Sequence, residues 1–324
     1  MNWKSFPKTE LHLHLEGAAP VEFIAEQSRK KNIDISHVMD GEFYKWQDFN
    51  DFLKTYEAVM SVLITPQDFA DLTKAVLRES ASQGVKYTEI FLGSILMADN
   101  DPVKWKDMLD AIEEATNEME AECDIVARFI PVIVRHFGVE RAEETARLVA
   151  KHRTQRLTGF GMAGAEDFER PQDFVKAFAI AGDAGYGLTV HAGEWCDPAS
   201  IKQSIETLNV TRLGHGVRAI EDASLIDLIK EKDIHLEVCP GSNVSLGASK
   251  SWEDHQIHSL RDQGVSISIS TDDPPYFATT MESEYAQLNA LGWTEDQFQL
   301  CNREAMRHAF VDEGTRQKLI QKFK

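Results

Sequence analysis

The chain has 324 residues, 43% of them hydrophobic and 27% charged, enough apolar material for one large domain or two ordinary ones. Its 34 Lys and Arg stand against 53 Asp and Glu, a formal net charge of -19 with no basic block to offset it, which argues against nucleic acid or an anionic membrane as a partner. No apolar run approaches the ~20 residues that span a bilayer, and the first residues lack an apolar signal core.

In chain order, the β-rich segments are TELHLHL (9–15), YTEIFLG (87–93), IVARFIPVIV (125–134), LTGFGMA (157–163), GLTVHA (187–192), RLGHGV (212–217), IHLEVCP (234–240) and VSISIST (265–271). Helical stretches separate most of them, among them VKAFAIAGDAG (175–185) and DASLIDLIKEKD (222–233). The second ends in charged residues, as an outer helix should. Eight strands alternating with helices predict an α/β chain folded as one (β/α)8 barrel of TIM type over residues 1–324. Periodicity is also compatible with a doubly wound open sheet. No repeat, low-complexity tract or Pro/Gly-rich linker divides the chain.

The first connection is too long for a simple crossover: about seventy residues separate the first two strands, and long insertions of this kind are often lids. A helical lid insertion is therefore expected over about residues 18–85. Within it, FNDFLKTYEAV places Phe49, Phe52, Leu53 and Tyr56 at i, i+3, i+4 and i+7, one apolar face of a helix. That face suits either ordinary core packing or closure over an apolar ligand. Four widely spaced cysteines, Cys123, Cys196, Cys239 and Cys301, form no CxxC pair; reduced thiols and a cytoplasmic location are expected.

In a barrel of this kind chemistry collects at the C-terminal ends of the strands. The first strand supplies His12 and His14, on alternate residues and so on one face. The fifth ends in HAGE, His191 to Glu194; the sixth in GHG, with His215 between Gly214 and Gly216; the eighth in STDDP, with Asp272 beside Asp273. Each fragment alone has an ordinary structural explanation. Their recurrence at successive strand ends does not. His12, His14, His191 and Asp272 form an N3O ligand set suited to Zn2+, and acceptable to Fe2+ or Co2+. A catalytic ion with an open position brings the pKa of a water toward ~7. His215 is then placed to accept that water's proton, Glu194 to serve as proton donor and Asp273 to orient the substrate. The expected chemistry is metal-assisted hydrolysis.

The segments PKTELHLHLEGA, TVHAGE, RLGHGVR, EVCPGSNVSLGA and STDDPPYF resemble, in order and spacing, the adenosine deaminase family of the amidohydrolase superfamily, from about residue 7 to 310. The resemblance implies a (β/α)8 barrel, one zinc ion and hydrolytic removal of a purine 6-amino group, with no organic cofactor. It carries the zinc ligands onto His12, His14, His191 and Asp272, the donor to purine N1 onto Glu194, the base onto His215 and the N7 contact onto Asp273. A glycine N–H against N3 falls on Gly164 of GMAGAE, and the face of Phe49, Phe52, Leu53 and Tyr56 corresponds to the lid over the base. His14 and Glu16 complete the expected substrate contacts. The cytidine-type signature H-x-E…P-C-x-x-C is absent.

Pocket motifs bear on which purine is used. GFGMAGAED resembles the corresponding turn of adenosine deaminases, although Gly161 and Ala165 stand where many of them have acidic residues. Glu16 stands where family members often place an Asp against the ribose. Adenosine or deoxyadenosine is the expected substrate, with adenine and a modified adenosine as alternatives. A catalytically silent relative would usually lack a ligand or Glu194, and none is missing. Arg135, His136 and Cys196 receive no role from the sequence, and it does not bear on oligomeric state.

Overall fold

The structure is a computed structural model describing residues 1–323. Eight parallel strands form one sheet in sequential order. They are β1 (Lys8–His14), β2 (Val85–Leu92), β3 (Val126–Val134), β4 (Gly159–Ala163), β5 (Gly187–Ala192), β6 (Arg212–His215), β7 (His235–Val238) and β8 (Ile267–Ile269). The order never reverses, so there is no topological switch point and the doubly wound alternative falls away. Helices cover the outside, and the main apolar core lies between them and the strands.

The barrel closes through a single parallel bridge between Leu13 and Asp272. There the His14 N–H donates to the Asp272 carbonyl and the Asp272 N–H to the His12 carbonyl, both at 3.1 Å. Because β8 is short, side chains complete the seam. Ser270 Oγ accepts the amides of Leu11 (3.3 Å) and His12 (3.2 Å), and Glu10 accepts the amide of Thr271 at 3.1 Å and its hydroxyl at 2.6 Å. Closure and ligand placement are therefore one construction.

Every predicted strand overlaps an observed one, but β6, β7 and β8 end earlier than the apolar patterns suggest. His215 and Asp272 adopt φ of 61° and 68°, and Pro240 opens the short helix Pro240–Leu246. A positive φ is costly for a residue with a side chain and clusters at functional sites. The backbone leaves the sheet where the candidate residues begin.

Between β1 and β2 lie α1 (Val21–Lys31), a hairpin of Met39–Asp40 and Phe43–Tyr44, α2 (Phe49–Met60) and α3 (Pro66–Ser82). Asp48 caps α2 by accepting the Asp51 N–H at 3.0 Å, and Thr65 and Asp68 form a capping box that starts α3. Helix α2 rests on the segment just after β8: Phe52 stacks on Phe277 and Tyr56 on Tyr276, ring centroids 5.7 Å apart in both pairs. Trp46 Nε1 donates to the Tyr276 carbonyl at 2.8 Å. No helix among the described residues is long and apolar enough to cross a membrane.

Candidate active site

His12 and His14 from β1, His191 from β5 and Asp272 beyond β8 each offer a ligand atom, and these atoms all lie within 4.8 Å of one another. His14 Nε2 is 3.2 Å from His191 Nε2, and Asp272 Oδ1 is 3.3 Å from Nε2 of both His12 and His14. Four ligands at about 2.0–2.1 Å from a tetrahedral ion sit about 3.3 Å apart, so the spacing fits one. His12 Nε2 is also buried without a hydrogen-bond partner. Burial alone would lower the His12 pKa, yet Asp272 and Glu237 outweigh it and hold it up to about 10. The surroundings favour a positive charge at that point, which a divalent cation would supply.

Glycine creates the room for this cluster. A Cβ on Gly214 would fall 2.7 Å from His12 Cε1, so the residue before His215 clears space for a candidate ligand carried by β1. Behind the ligands runs a fully buried polar chain. Glu237 Oε2 pairs with His12 Nδ1 at 2.8 Å, while its Oε1 receives Arg212 Nε at 2.7 Å and the Thr189 hydroxyl at 2.9 Å. Arg212 Nη1 continues to Glu89 Oε2 at 2.5 Å. Ser242 Oγ donates to Asp272 Oδ2 at 2.7 Å. Such partners set the ring orientation and basicity of a ligating histidine.

A cavity opens directly over the cluster, lined by His14, Glu16, Gly164, His191, Glu194, His215, Asp272 and Asp273 and walled by Phe49, Phe52, Leu53 and Tyr56 of α2. The helical face packs on Tyr276 and Phe277 and also lines the cavity. His215 Nε2 faces Asp272 Oδ2 at 3.9 Å. Burial, reinforced by the charges of Asp272 and Glu166, pushes the Glu194 carboxyl well above its usual range. Burial and the adjacent Asp272 push Asp273 up to about 8. Asp273 lines the cavity, and its Oδ1 is buried without a hydrogen-bond partner. Gly164 takes a φ of 93°, with its Cβ direction closed off by His136 Nδ1 at 2.9 Å.

Glu16 is only 1% exposed. Its Oε1 accepts the Gly93 N–H at 3.1 Å, and burial raises its pKa. The carboxyl is thus engaged within the wall.

Several contributors carry no isolated signal in the sequence. Asn243, inside EVCPGSN, places Nδ2 3.2 Å from Glu194 Oε1 and 3.1 Å from His215 Nδ1, tying the two together. Glu237 and Arg212 sit in strand patterns that otherwise read as apolar, and both are fully buried in the barrel. His136 lines the cavity, whereas Arg135 lies buried behind it. Burial, with the nearby Glu166 charge, pushes the Cys196 thiol up to about 11, and that residue does not line the cavity.

Comparison with known proteins places the chain in context. The family model described as adenosine deaminase matches residues 7–324. A protein of Agrobacterium fabrum named adenine deaminase is 40% identical over 314 residues, covering 97% of this chain and 96% of the relative. One of Rhizobium rhizogenes with the same name is also 40% identical over 314 residues, covering 97% of each. Among solved structures, an adenine deaminase from Arthrobacter aurescens is 28% identical, superposes with a TM-score of 0.90 and covers 98% of both chains.

Proposed function

The chain belongs to the adenosine deaminase family of hydrolytic deaminases, and from that premise we propose that it removes the 6-amino group of free adenine, giving hypoxanthine and ammonia, with one zinc ion. The observation that carries the reading is one cavity in which a ligand cluster with tetrahedral spacing meets a buried carboxyl, Glu194, whose raised pKa favours the protonated form.

His12, His14, His191 and Asp272 would hold the ion, which when bound lowers the pKa of a water toward neutrality. His215 orients the attacking water and takes its proton. Glu194 delivers a proton to ring N1 as oxygen adds to C6, so the electron pair from the opened C=N bond settles on a protonated nitrogen. Asp273, whose pKa burial raises, donates to N7 in its protonated form, and the Gly164 amide donates to N3. The tetrahedral C6 then collapses, the C–N bond breaks, and the amine takes a proton and leaves as ammonia. Helix α2, with Phe49, Phe52, Leu53 and Tyr56, acts as the lid that keeps bulk water from the reacting ring.

Two observations favour the free base over the nucleoside expected from the pocket motifs. The adenine deaminases are 40% identical over nearly the full chain, and one oxygen of the Glu16 carboxyl is already held by the Gly93 amide. Adenosine is the second reading, supported by the GFGMAGAED turn. Ammonia release from adenine, adenosine and deoxyadenosine, assayed side by side with zinc-loaded protein, tests both. Adenine should have the highest kcat/KM. Faster turnover of adenosine would overturn the substrate and keep the reaction; no release from any 6-aminopurine would overturn the reaction.

A further inference from the structure

One buried carboxylate behind the cavity has a bonding pattern that the chemistry above leaves unused. Glu166 lies two residues past Gly164 and is 5% exposed. Its Oε2 accepts the backbone N–H groups of Glu194 (3.1 Å), Trp195 (2.7 Å) and Cys196 (3.0 Å), and its Oε1 accepts that of Gly193. Four successive amides converge on one side chain. This is the geometry in which a turn binds an anion, and here the chain supplies the anion itself.

Arg135 completes the arrangement from β3's end. Its buried guanidinium donates from Nη1 to the Glu166 carbonyl at 3.2 Å and from Nη2 to the His191 carbonyl at 2.5 Å. The segment 191–196 is thus gripped by its first carbonyl and by its last four amides. Gly193, with φ of 79°, makes the turn between these grips, and a Cβ there would strike Ile201 Cδ1 at 2.2 Å. Neither Glu166 nor Arg135 lines the cavity, whereas Glu194, which projects from the gripped turn, does.

We propose that Glu166, braced by Arg135, is a positioning residue for Glu194: its carboxylate fixes the peptide from which the proton donor reaches into the cavity. The inference rests on the reading of Glu194 as proton donor. Misplacing a reacting group by about 1 Å can cost about 100-fold in rate. Glu166→Gln preserves shape but leaves one oxygen, and turns an NH2 group toward amides that are themselves donors. A residue that serves folding alone would lower the amount of active protein equally in any background. A residue that acts through Glu194 has no effect once Glu194 cannot donate.

The test measures adenine deamination in wild type, Glu166→Gln, Glu194→Gln and the double variant, with zinc content determined for each. Glu166→Gln should lower kcat by about 10- to 100-fold, with KM changed less than about threefold and zinc retained. Added to Glu194→Gln, it should cost less than about twofold. An equal loss in both backgrounds, or full kcat in the single variant, overturns the proposal. Should Glu166→Gln not fold, Arg135→Lys goes through the same cycle under the same criteria. A wild type that deaminates no 6-aminopurine removes the deaminase reading itself, an outcome separate from a failed cycle in an active enzyme.

Discussion

Gly17 and Asp273 stand so close that a Cβ on the glycine would fall 1.5 Å from Asp273 Oδ1. Two loops at the barrel mouth, one following β1 and one following β8, meet there without a side chain between them. The carboxyl that faces the cavity keeps its place only because residue 17 is glycine. Gly17→Ala should therefore displace Asp273 while leaving the four candidate metal ligands in place. We expect turnover to fall by about 100-fold or more with metal content near wild type. Metal analysis beside a steady-state assay checks this; loss of the metal instead would mean that the two neighbouring aspartates have exchanged roles.

Glu194→Gln removes the proton but keeps the shape. The variant should bind metal normally and lose about 100- to 10,000-fold in kcat. On the proposed mechanism the protonated carboxyl is the active form, and burial raises its pKa, so Glu194 sets the alkaline limb: activity is lost as pH rises through that raised value. A pH profile of kcat for the wild type and the variant checks both points: the alkaline limb assigned to Glu194 should disappear in the variant.

The buried chain from His12 through Glu237 and Arg212 to Glu89 predicts two separable effects. Burial would raise the Glu237 carboxyl, but Arg212 and His12 hold it down to about 2. Glu237→Gln keeps the volume and removes the charge behind His12, so metal affinity should weaken by about 10- to 100-fold. Removing the carboxylate altogether with Glu237→Ala strands the guanidinium and should cost about 3–5 kcal/mol of folding stability. Chelator competition reads the first effect, and denaturant unfolding the second.

Glu284 provides a stability prediction away from the metal ligands. Burial pushes its carboxyl from 4.5 up to about 8, although it accepts from the Thr279 hydroxyl and the Gly241 amide. Between those values the folded chain holds a proton that the unfolded chain has released. The Glu284 contribution to stability is therefore full below about pH 4.5 and falls as pH rises toward about 8, by about 1 kcal/mol per unit across the window. Urea unfolding at several pH values should show that slope in the wild type and a shallower one in Glu284→Gln.

Much of this architecture could be read along the chain. The barrel was legible because its evidence is local: each strand declares itself within a few residues, and eight of them in sequence leave few folds of this length. The clustering of the four candidate ligands was legible for a related reason, since HxH, HAGE and STDD each mark a strand end. The shortened ends of β6 to β8 were not, because apolar residues continue after the backbone has turned out of the sheet at His215 and Asp272.

Residue type and spacing alone thus carry the fold class, the four metal-ligand candidates and the presence of Glu194 and Asp273 at one cavity. Tertiary structure decides which other groups matter to them. Glu237 is 225 positions from His12, Asn243 is 49 from Glu194, and Glu166 meets a turn 27 to 30 residues ahead of it. It also engages the Glu16 carboxyl with Gly93, a contact 77 residues away. Local preference is a property of a few adjacent residues. Orientation, burial and charge at a site are sums over neighbours that only the closed barrel brings within reach.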